Sequence, residues 1–252
     1  MSDATAQAAE LLLAARRDPA HRLTDLPEKL KPIDKAAAYA IQHRVAASFG
    51  AIGGWKVGAP GPDAPPICGA LPAAGVVPSP VKLASATHLM RGIEAEVAFR
   101  MGRDLPPRPT PYSRDDVIAA IAAAYPVIEV LESRYLESKA VDPLTNLADT
   151  QSHGGLVYGA PVTEWRPIDF AREKVEQYVD GALQMERVGN PVGDMIRLVV
   201  WMANAGSHWA GGLKSGQFVT CGSWTGAERV GPTAHVRVRF PSLGEVFVDY
   251  TG

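Results

Sequence analysis

The chain has 252 residues, of which 46% are hydrophobic and 21% are charged. These are the proportions of a globular protein rather than of a disordered or fibrous one, and the length allows a substantial core. The formal net charge is −2, and the sequence has no run of lysines and arginines, which argues against nucleic-acid binding. We therefore expect a small-molecule partner, and nothing in the sequence requires a membrane.

Cysteine usage and the start of the chain bear on location. Cys68 and Cys221 lie far apart without CxxC spacing, so we expect buried thiols in a reducing compartment. Residues 1–17 carry an Ala/Leu stripe that includes Asp3 and Glu10 and has no cleavage-site pattern, which argues against a secretory signal. The cytoplasm is the expected location.

Two helices are predicted at the start of the chain. Residues 5–16 are alanine-rich with a cluster of leucines, and residues 34–49 begin with Asp34, a suitable N-cap. Prolines within residues 23–32 predict a connecting loop. We therefore predict an N-terminal helical region at residues 1–50 and a β-rich catalytic body at residues 51–252, together forming one structural unit.

The remainder of the chain predicts strands interrupted by two helices. Glycine and proline become frequent after residue 50, and short apolar segments alternate with polar residues. One helix is predicted to begin at Ser113, with Asp116 completing a near capping box, and a second covers residues 194–209. Residues 234–250 predict an antiparallel hairpin. The pattern indicates an α+β fold rather than alternating βαβ units.

The most informative segment carries two carboxylates two residues apart. Glu94 and Glu96 lie on a predicted strand and therefore point to the same face. Ile93, Ala95 and Val97 occupy the other face, so the strand is expected to be half-buried. Two carboxylates this close repel each other unless a cation lies between them.

A third carboxylate, Glu129, interrupts the apolar run at residues 125–131 and needs a partner if it is buried. Three oxygen ligands without histidine or cysteine suit Mg²⁺ or Mn²⁺. The pattern alone leaves an alternative open, in which Glu94 and Glu96 lie on a solvated edge strand and Glu129 pairs with a cation such as Arg134.

Three further residues are candidates for substrate contact. Lys56 lies in a glycine-bracketed segment, residues 53–58, where it could polarise or protonate a substrate oxygen; a surface lysine on a turn is the alternative. Ser223 and Thr225 share one face if their segment is extended, and could then bind a substrate carboxylate. A polar strand end followed by a turn explains the same pattern.

Taken together, these segments resemble the 2-oxopent-4-enoate (2-hydroxypentadienoate) hydratase and 4-oxalocrotonate decarboxylase family, within the fumarylacetoacetate hydrolase superfamily. Each motif is weak alone, but the set occurs in the family's order. The matching segments are residues 38–42, 54–58, 66–69, 92–96, 127–130, 146–149 with Gly155, 189–191, 215–216 and 222–226.

The resemblance implies that Glu94, Glu96 and Glu129 bind Mg²⁺ or Mn²⁺ and that Lys56 is an active-site residue. It also implies a β-rich barrel-like body or a rolled mixed sheet with flanking helices. A homo-oligomer is expected, as is association with another enzyme of the same pathway. A 2-oxo acid can offer its carboxylate and 2-oxygen to such a cation, which stabilises negative charge on that oxygen.

The implied activity is that of a hydro-lyase that adds water to a 2-hydroxydienoate or 2-oxoalkenoate, such as 2-oxopent-4-enoate, in the degradation of aromatic compounds. The alternatives are a 4-oxalocrotonate-type decarboxylase, a hydrolase that cleaves a C–C bond in an acylpyruvate, and a non-catalytic 2-oxo-acid-binding relative. The proline-rich segment at residues 59–65 departs from the family's pattern. We expect it to border the substrate site and to affect specificity.

Overall fold

Two helices begin the chain, as predicted. In the computed structural model, which describes residues 3–252, helix α1 spans Asp3–Arg17 and helix α2 spans Lys35–Ala47. Residues 1–2 of the predicted helical region lie outside the described residues. The Asp34 carboxylate accepts a hydrogen bond from the backbone N–H of Ala37 at 2.7 Å, so this residue is the N-cap of α2.

The N-terminal helices pack on a later part of the chain as well as on each other. Ala8 and Leu12 of α1 share one apolar cluster with Ile41 of α2. The same cluster contains Tyr135 and Leu147, and Leu147 lies in helix α4, Pro143–Ala148. The helical region thus buries its apolar stripe against the body. The division of the chain at residue 50 stays a prediction.

Thirteen strands within residues 3–252 form two mixed sheets with flanking helices. The eight-stranded sheet has the order β2-β1-β10-β5-β6-β7-β3, with β11 also paired to β5, and the five-stranded sheet has the order β4-β13-β12-β8-β9. The predicted α+β fold is confirmed, in its mixed-sheet form; each sheet of the described chain is an open series of strands rather than a closed barrel. The strands are β1 Ile52–Gly58, β2 Ile67–Pro72, β3 Val76–Pro78, β4 Val81–Ala84, β5 Gly92–Met101, β6 Ile121–Leu131, β7 His153–Tyr158, β8 Lys174–Val179, β9 Ala182–Val188, β10 Phe218–Thr220, β11 Glu228–Arg229, β12 His235–Phe240 and β13 Gly244–Thr251.

Strands β5 and β6 form the antiparallel centre of the larger sheet. Their register places Glu94 directly opposite Glu129. The expectation of a half-buried β5 is wrong, because Ala95 on one face and Glu96 on the other are both buried. The solvated-edge alternative is wrong for the same reason: β5 has neighbours on both sides.

The two helices of the body begin where they were predicted, and the second is shorter than predicted. Helix α3 spans Arg114–Ala120 and has the predicted capping box between Ser113 and Asp116, but the chain then enters β6 directly at Ile121. The predicted helix at residues 194–209 is three pieces: α5 at Met195–Trp201, a π-helical turn at Met202–Gly206 and a 3₁₀ turn at His208–Ala210.

The wide turn after α5 has a local cause. Both the backbone N–H and the hydroxyl of Ser207 donate to the carbonyl of Met202, five residues earlier. The N–H bond takes the place of the usual bond to the residue four earlier, which gives a wider turn, and the hydroxyl bond reinforces it. No helix within residues 3–252 has the length and apolar character needed to cross a membrane.

The smaller sheet contains the predicted C-terminal hairpin. Strands β12 and β13 pair with His235 opposite Asp249, and the turn between them closes with a bond from the N–H of Leu243 to the carbonyl of Phe240. On the neighbouring strand β8, Glu176 accepts from Lys174 at 2.5 Å and from Arg239 at 2.9 Å. These bonds lower the pKa of Glu176 to about 2, with Lys174 the larger cause.

Candidate active site

Three carboxylates predicted to act together meet at the centre of the larger sheet. Glu94, Glu96 and Glu129, here called the carboxylate trio, each offer an oxygen within 4.8 Å of the other two. Pairing of β5 with β6 brings Glu129 opposite Glu94, and the two-residue strand repeat brings Glu96 to the same face. Glu96 is 2% exposed and Glu129 is 0% exposed. Glu94 is partly exposed, so the trio is a concentration of negative charge that is buried at two of its three residues.

Burial and mutual repulsion both raise the pKa values of the carboxylate trio. Burial raises the pKa of Glu94, Glu96 and Glu129, and the charge of Glu129 raises the pKa of the other two further. Lys56 opposes the shift at each site. A group of like charges with one lysine remains under-compensated, so it favours either protons or a cation.

The trio has the donor set of a hard divalent cation. Its atoms are all carboxylate oxygens, which suit Mg²⁺ or Mn²⁺. Oε2 of Glu129 is buried and has no hydrogen-bond partner among the described residues. Because an orphaned buried carboxylate oxygen is costly, it is available as a ligand. The three residues could together hold such an ion.

Lys56 lies beside the trio rather than on a surface turn. It is on β1, and its Nζ donates to Oε1 of Glu129 at 2.5 Å and to the backbone carbonyl of Gln151 at 3.1 Å. Burial lowers the pKa of Lys56, but the charges of Glu129 and Glu94 more than offset this and the pKa is raised. The partner of Glu129 is thus Lys56; Arg134, the suggested alternative, pairs with Asp149 at 2.5 Å.

The carbonyl that receives Lys56 belongs to a strained turn. Three consecutive residues, Thr150, Gln151 and Ser152, have φ of 51°, 53° and 59°. Residues other than glycine rarely adopt this left-handed backbone conformation. It persists only where the surrounding structure holds the backbone in place, and it is frequent at active sites. The turn directs the Gln151 carbonyl at Lys56, while the Gln151 amide nitrogen is buried without a partner in the described structure. The sequence carried no signal for this turn.

Two other residues of the site were missed by sequence reasoning. The Thr220 hydroxyl donates a short hydrogen bond to Oε2 of Glu96, which counteracts part of the rise in its pKa. Nδ1 of His153 lies 3.6 Å from Oε1 of Glu129. Burial, then the charges of Arg16 and Lys56, lowers the pKa of His153 well below its usual value. This shift favours the neutral form of the His153 imidazole.

The structure separates the two predicted substrate-binding hydroxyls. Ser223 lies near Glu94, and its hydroxyl favours the ionised form of that carboxylate. The Thr225 hydroxyl accepts a hydrogen bond from the N–H of Ala95 at 3.1 Å and donates one to the side-chain oxygen of Gln177 at 3.1 Å. The Thr225 hydroxyl is thus engaged in bonds that hold β5. A substrate contact by either residue stays a prediction.

The segment carrying Ser223 and Thr225 is not extended, which is why the shared-face argument does not apply. Strand β10 ends at Thr220, and residues 221–227 are irregular. Gly222 and Gly226 have φ of 79° and 78°, a conformation that interrupts a strand and that glycine adopts without strain.

An open cavity of about 430 Å³ gives access to the site, a size typical of small-molecule clefts. Lys56 and Glu94 lie in its wall, whereas Glu96 and Glu129 are buried behind them. Lys139 also lines it and has no carboxylate within ion-pair distance in the part of the chain that the structure describes. The lining residues are Lys56, Met90, Glu94, Leu131, Ser138, Lys139, Val141, Pro143, Asn146, Gln151, Ser152 and Ala227.

The proline-rich segment at residues 59–65 is not part of this cavity. The guanidinium of Arg197, on α5, donates to the carbonyls of Gly61 at 2.7 Å and Ala64 at 3.2 Å. The segment is thus anchored to α5, and none of residues 59–65 lines the cavity described above. The expected place of this segment beside the substrate stays a prediction.

Proteins of known activity resemble the chain in sequence. No family model matches the chain. A 4-oxalocrotonate decarboxylase from Pseudomonas putida is 29% identical over 136 residues, 52% of this chain and 50% of that protein, so the chain spans about half the length of the first relatives it matches. A 2-keto-4-pentenoate hydratase from Dechloromonas aromatica is 28% identical over 232 residues, 87% of this chain and 86% of that protein.

Two solved structures share the fold, and one of them covers nearly the whole chain. A 4-oxalocrotonate decarboxylase from Pseudomonas putida G7, complexed with magnesium and adipate, superposes with a TM-score of 0.85 at 24% identity, covering 98% of this chain and 97% of that one. A fumarylpyruvate hydrolase from Pseudomonas aeruginosa, in complex with Mn²⁺ and pyruvate, has a TM-score of 0.55 at 16% identity and covers 78% of this chain and 88% of that one.

The chain therefore has the fold that these solved structures share. It resembles the group of 2-oxopent-4-enoate hydratases and 4-oxalocrotonate decarboxylases, and the resemblance inferred from its motifs is confirmed.

Proposed function

We propose that this protein is a metal-dependent hydro-lyase that adds water to a 2-hydroxydienoate or 2-oxoalkenoate such as 2-oxopent-4-enoate, in the degradation of aromatic compounds. The observation that carries the proposal is the carboxylate trio, which lies beside Lys56 at the inner end of an open cavity. The 28% identity to a 2-keto-4-pentenoate hydratase over 87% of the chain supports the same reaction.

Glu94, Glu96 and Glu129 would hold Mg²⁺ or Mn²⁺, the class of ion that the trio suits. Such an ion would supply positive charge next to the carboxylate and 2-oxygen of a bound 2-oxo acid, which favours accumulation of negative charge on that oxygen. The structures of relatives complexed with magnesium and with Mn²⁺ support this assignment.

Lys56 is positioned for proton transfer at the edge of the cavity. Its ammonium group is held by the Glu129 carboxylate and the Gln151 carbonyl, so one of its three N–H groups remains available to a substrate. Hydration needs a proton delivered to the far carbon of the dienol and a proton removed from the attacking water. We assign proton delivery to Lys56, directly or through a water molecule in the cavity.

Gln151 is the residue best placed to bind a polar group of the substrate. Its side-chain nitrogen is buried and unpartnered among the described residues, and the residue lines the cavity with Lys56. An unsatisfied donor in such a place is stabilised when a ligand accepts from it. Ser223, beside Glu94, and Thr225 remain our proposed contacts for the substrate carboxylate.

A 4-oxalocrotonate-type decarboxylase is the second candidate, and a specific observation favours it. Lys139 lines the cavity without an acidic partner in the described structure, and a substrate with a second carboxylate would provide one. The 29% identity to a 4-oxalocrotonate decarboxylase supports this candidate. An acylpyruvate-type hydrolase and a non-catalytic 2-oxo-acid-binding protein complete the alternatives.

One pair of assays tests these assignments. The purified protein is incubated with 2-hydroxypenta-2,4-dienoate and with 2-oxo-3-hexenedioate, each with Mg²⁺, with Mn²⁺ and with a chelator. Loss of the dienol absorbance together with formation of the hydrated product supports the hydratase, and CO₂ release from the second compound supports the decarboxylase. If neither compound is converted with metal present, both proposals fail.

Assembly and location are further proposals. We propose a homo-oligomer in the cytoplasm, associated with another enzyme of the same pathway. Sedimentation of the purified protein tests the first part, because a monomer at micromolar concentration contradicts it.

A further inference from the structure

A second cavity, outside the active site, is lined by three arginines. It has a volume of about 150 Å³ and lies between the end of α1 and the segment that follows β6. We call it the arginine cavity. Its lining residues are Ala15, Arg16, Pro19, Arg22, Thr87, His88, Glu132, Ser133, Arg134 and Gly154.

Two of these arginines have acidic partners. Arg22 donates to Oε1 of Glu132 at 2.8 Å, and the other oxygen of Glu132 accepts from the N–H of Met90 at 2.9 Å. Arg134 donates to Asp149 at 2.5 Å. Both carboxylates are therefore already engaged by protein donors.

Arg16 has no such partner. Its guanidinium donates to the backbone carbonyl of His153 at 3.1 Å and lies 4.5 Å from the ring centre of Phe49. No carboxylate lies within ion-pair distance of Arg16 in residues 3–252. The carbonyl of His153 also accepts from Arg134 at 2.9 Å, so two guanidinium groups converge on one neutral oxygen.

The charges around the arginine cavity do not balance. Arg16, Arg22 and Arg134 contribute three positive charges against the two negative charges of Glu132 and Asp149, which leaves one positive charge. Burial, followed by the charge of Arg134, lowers the pKa of Arg16 to about 9, and the charge of Asp149 offsets only part of this shift. The group remains protonated at neutral pH, and in this partly buried place it has no ion-pair partner of its own among the described residues.

We propose that the arginine cavity is a binding site for a small oxyanion, in which Arg16 is the principal ligand. Guanidinium groups bind phosphate, sulfate and carboxylate through paired, charge-assisted hydrogen bonds. The volume accommodates an ion of that size with its bound water but is small for a nucleotide. An anion there supplies the missing negative charge next to Arg16. This inference is independent of the reaction proposed for the active site.

Calorimetric titration of the metal-free wild-type protein, with a chelator present and at constant ionic strength, tests the site. Phosphate, sulfate and acetate are the probes, and sodium chloride is the reference. We expect saturable phosphate binding with a Kd of about 1 mM or tighter. Sulfate binding as strong as phosphate binding indicates a site for tetrahedral oxyanions, and equally strong acetate binding extends the site to carboxylates.

Variants locate the binding. Arg16→Gln is expected to weaken phosphate binding at least ~10-fold, because it removes the charged, bidentate donor. Arg17→Gln is the matched control: Arg17 is the next residue of α1, is exposed and lies 3.7 Å from Glu10, so its loss should leave the Kd unchanged. Arg16→Lys keeps the charge and should give an intermediate Kd.

Two results would overturn the proposal. One is wild-type protein that shows no saturable heat with any of the three oxyanions beyond the sodium chloride reference. The other is an Arg16→Gln variant that binds phosphate as tightly as wild type. If Arg16→Gln does not fold, the wild-type titration and the Arg16→Lys variant decide the question.

Discussion

Replacing Glu96 by glutamine tests the carboxylate trio directly. The carboxylate oxygens of the trio lie within 4.8 Å of one another. Two like unit charges at that separation repel by about 3 kcal/mol at an effective dielectric constant of about 20. Glu96→Gln removes the repulsion from Glu94 and Glu129 and gives up one attraction to Lys56. The amide oxygen can still accept from Thr220. We therefore expect the metal-free variant to be more stable than wild type by about 1–3 kcal/mol, because protonation of the trio already relieves part of the repulsion.

The stabilisation of the protein by metal, in contrast, should be smaller in Glu96→Gln than in wild type. An ion present at one hundred times its Kd stabilises the protein by about 2.7 kcal/mol, which raises the melting temperature of a chain of this size by roughly 5–10 °C. Glu96→Gln should lose most of this rise, because a neutral amide replaces one of three carboxylate ligands. The assay is a thermal melt with a chelator and with increasing Mg²⁺ or Mn²⁺.

The matched control is Glu186→Gln. Glu186 lies on β9, is 49% exposed and pairs with Lys174 at 3.2 Å, so the variant removes one acidic charge from the smaller sheet, which does not carry the trio. It should keep the full metal response. The reasoning is refuted if metal leaves the wild-type melting temperature unchanged, or if Glu96→Gln melts below wild type in the presence of chelator.

Three more predictions follow from particular contacts. Lys56→Met should lower kcat by about 10²–10⁴-fold in a turnover assay and should also lower the metal-free melting temperature, since Glu129 loses its cation; a variant with wild-type kcat contradicts the assigned role. The pKa of Glu176 lies at about 2, below the usual 4.5, chiefly because of Lys174. The stabilisation from this depressed pKa is complete above about pH 4.5 and is lost as the pH falls toward 2. Glu176→Gln should therefore cost about 1 kcal/mol near neutral pH and little at pH 2, measured by denaturant unfolding at each pH; equal losses at both values contradict the pairing. Lys139→Met should raise KM for 2-oxo-3-hexenedioate several-fold and leave KM for 2-hydroxypenta-2,4-dienoate unchanged, and an equal change for both would show that Lys139 does not contact a second carboxylate.

The sequence was informative where the signal is local. The N-cap at Asp34 and the capping box at Ser113 depend on residues three positions apart, and both were predicted. The two-residue repeat of a strand likewise placed Glu94 and Glu96 on one face before their neighbours were known. Helix ends were less predictable, because the turn after α5 depends on where one serine, Ser207, directs its hydrogen bonds.

Burial of the trio could not be read from local pattern. An ExE pair on a strand is compatible with a solvated edge, and the decision depends on how many strands lie beside β5. The tertiary structure places β5 between neighbours on both sides and sets Glu129 opposite Glu94. That pairing joins residues 35 positions apart through strand register, which is a long-range choice made by the packing of whole strands.

The sequence by itself determined the residue types of the site, the order of its segments and hence the resemblance to a known group of enzymes. Only the tertiary structure decided that Lys56 is the partner of Glu129, that a left-handed turn at Gln151 holds it, and that the proline-rich segment packs on α5. The physical reason is that charge compensation and backbone strain arise between segments distant in the chain, whereas the signals in a sequence extend over one or two turns of a helix or a few residues of a strand.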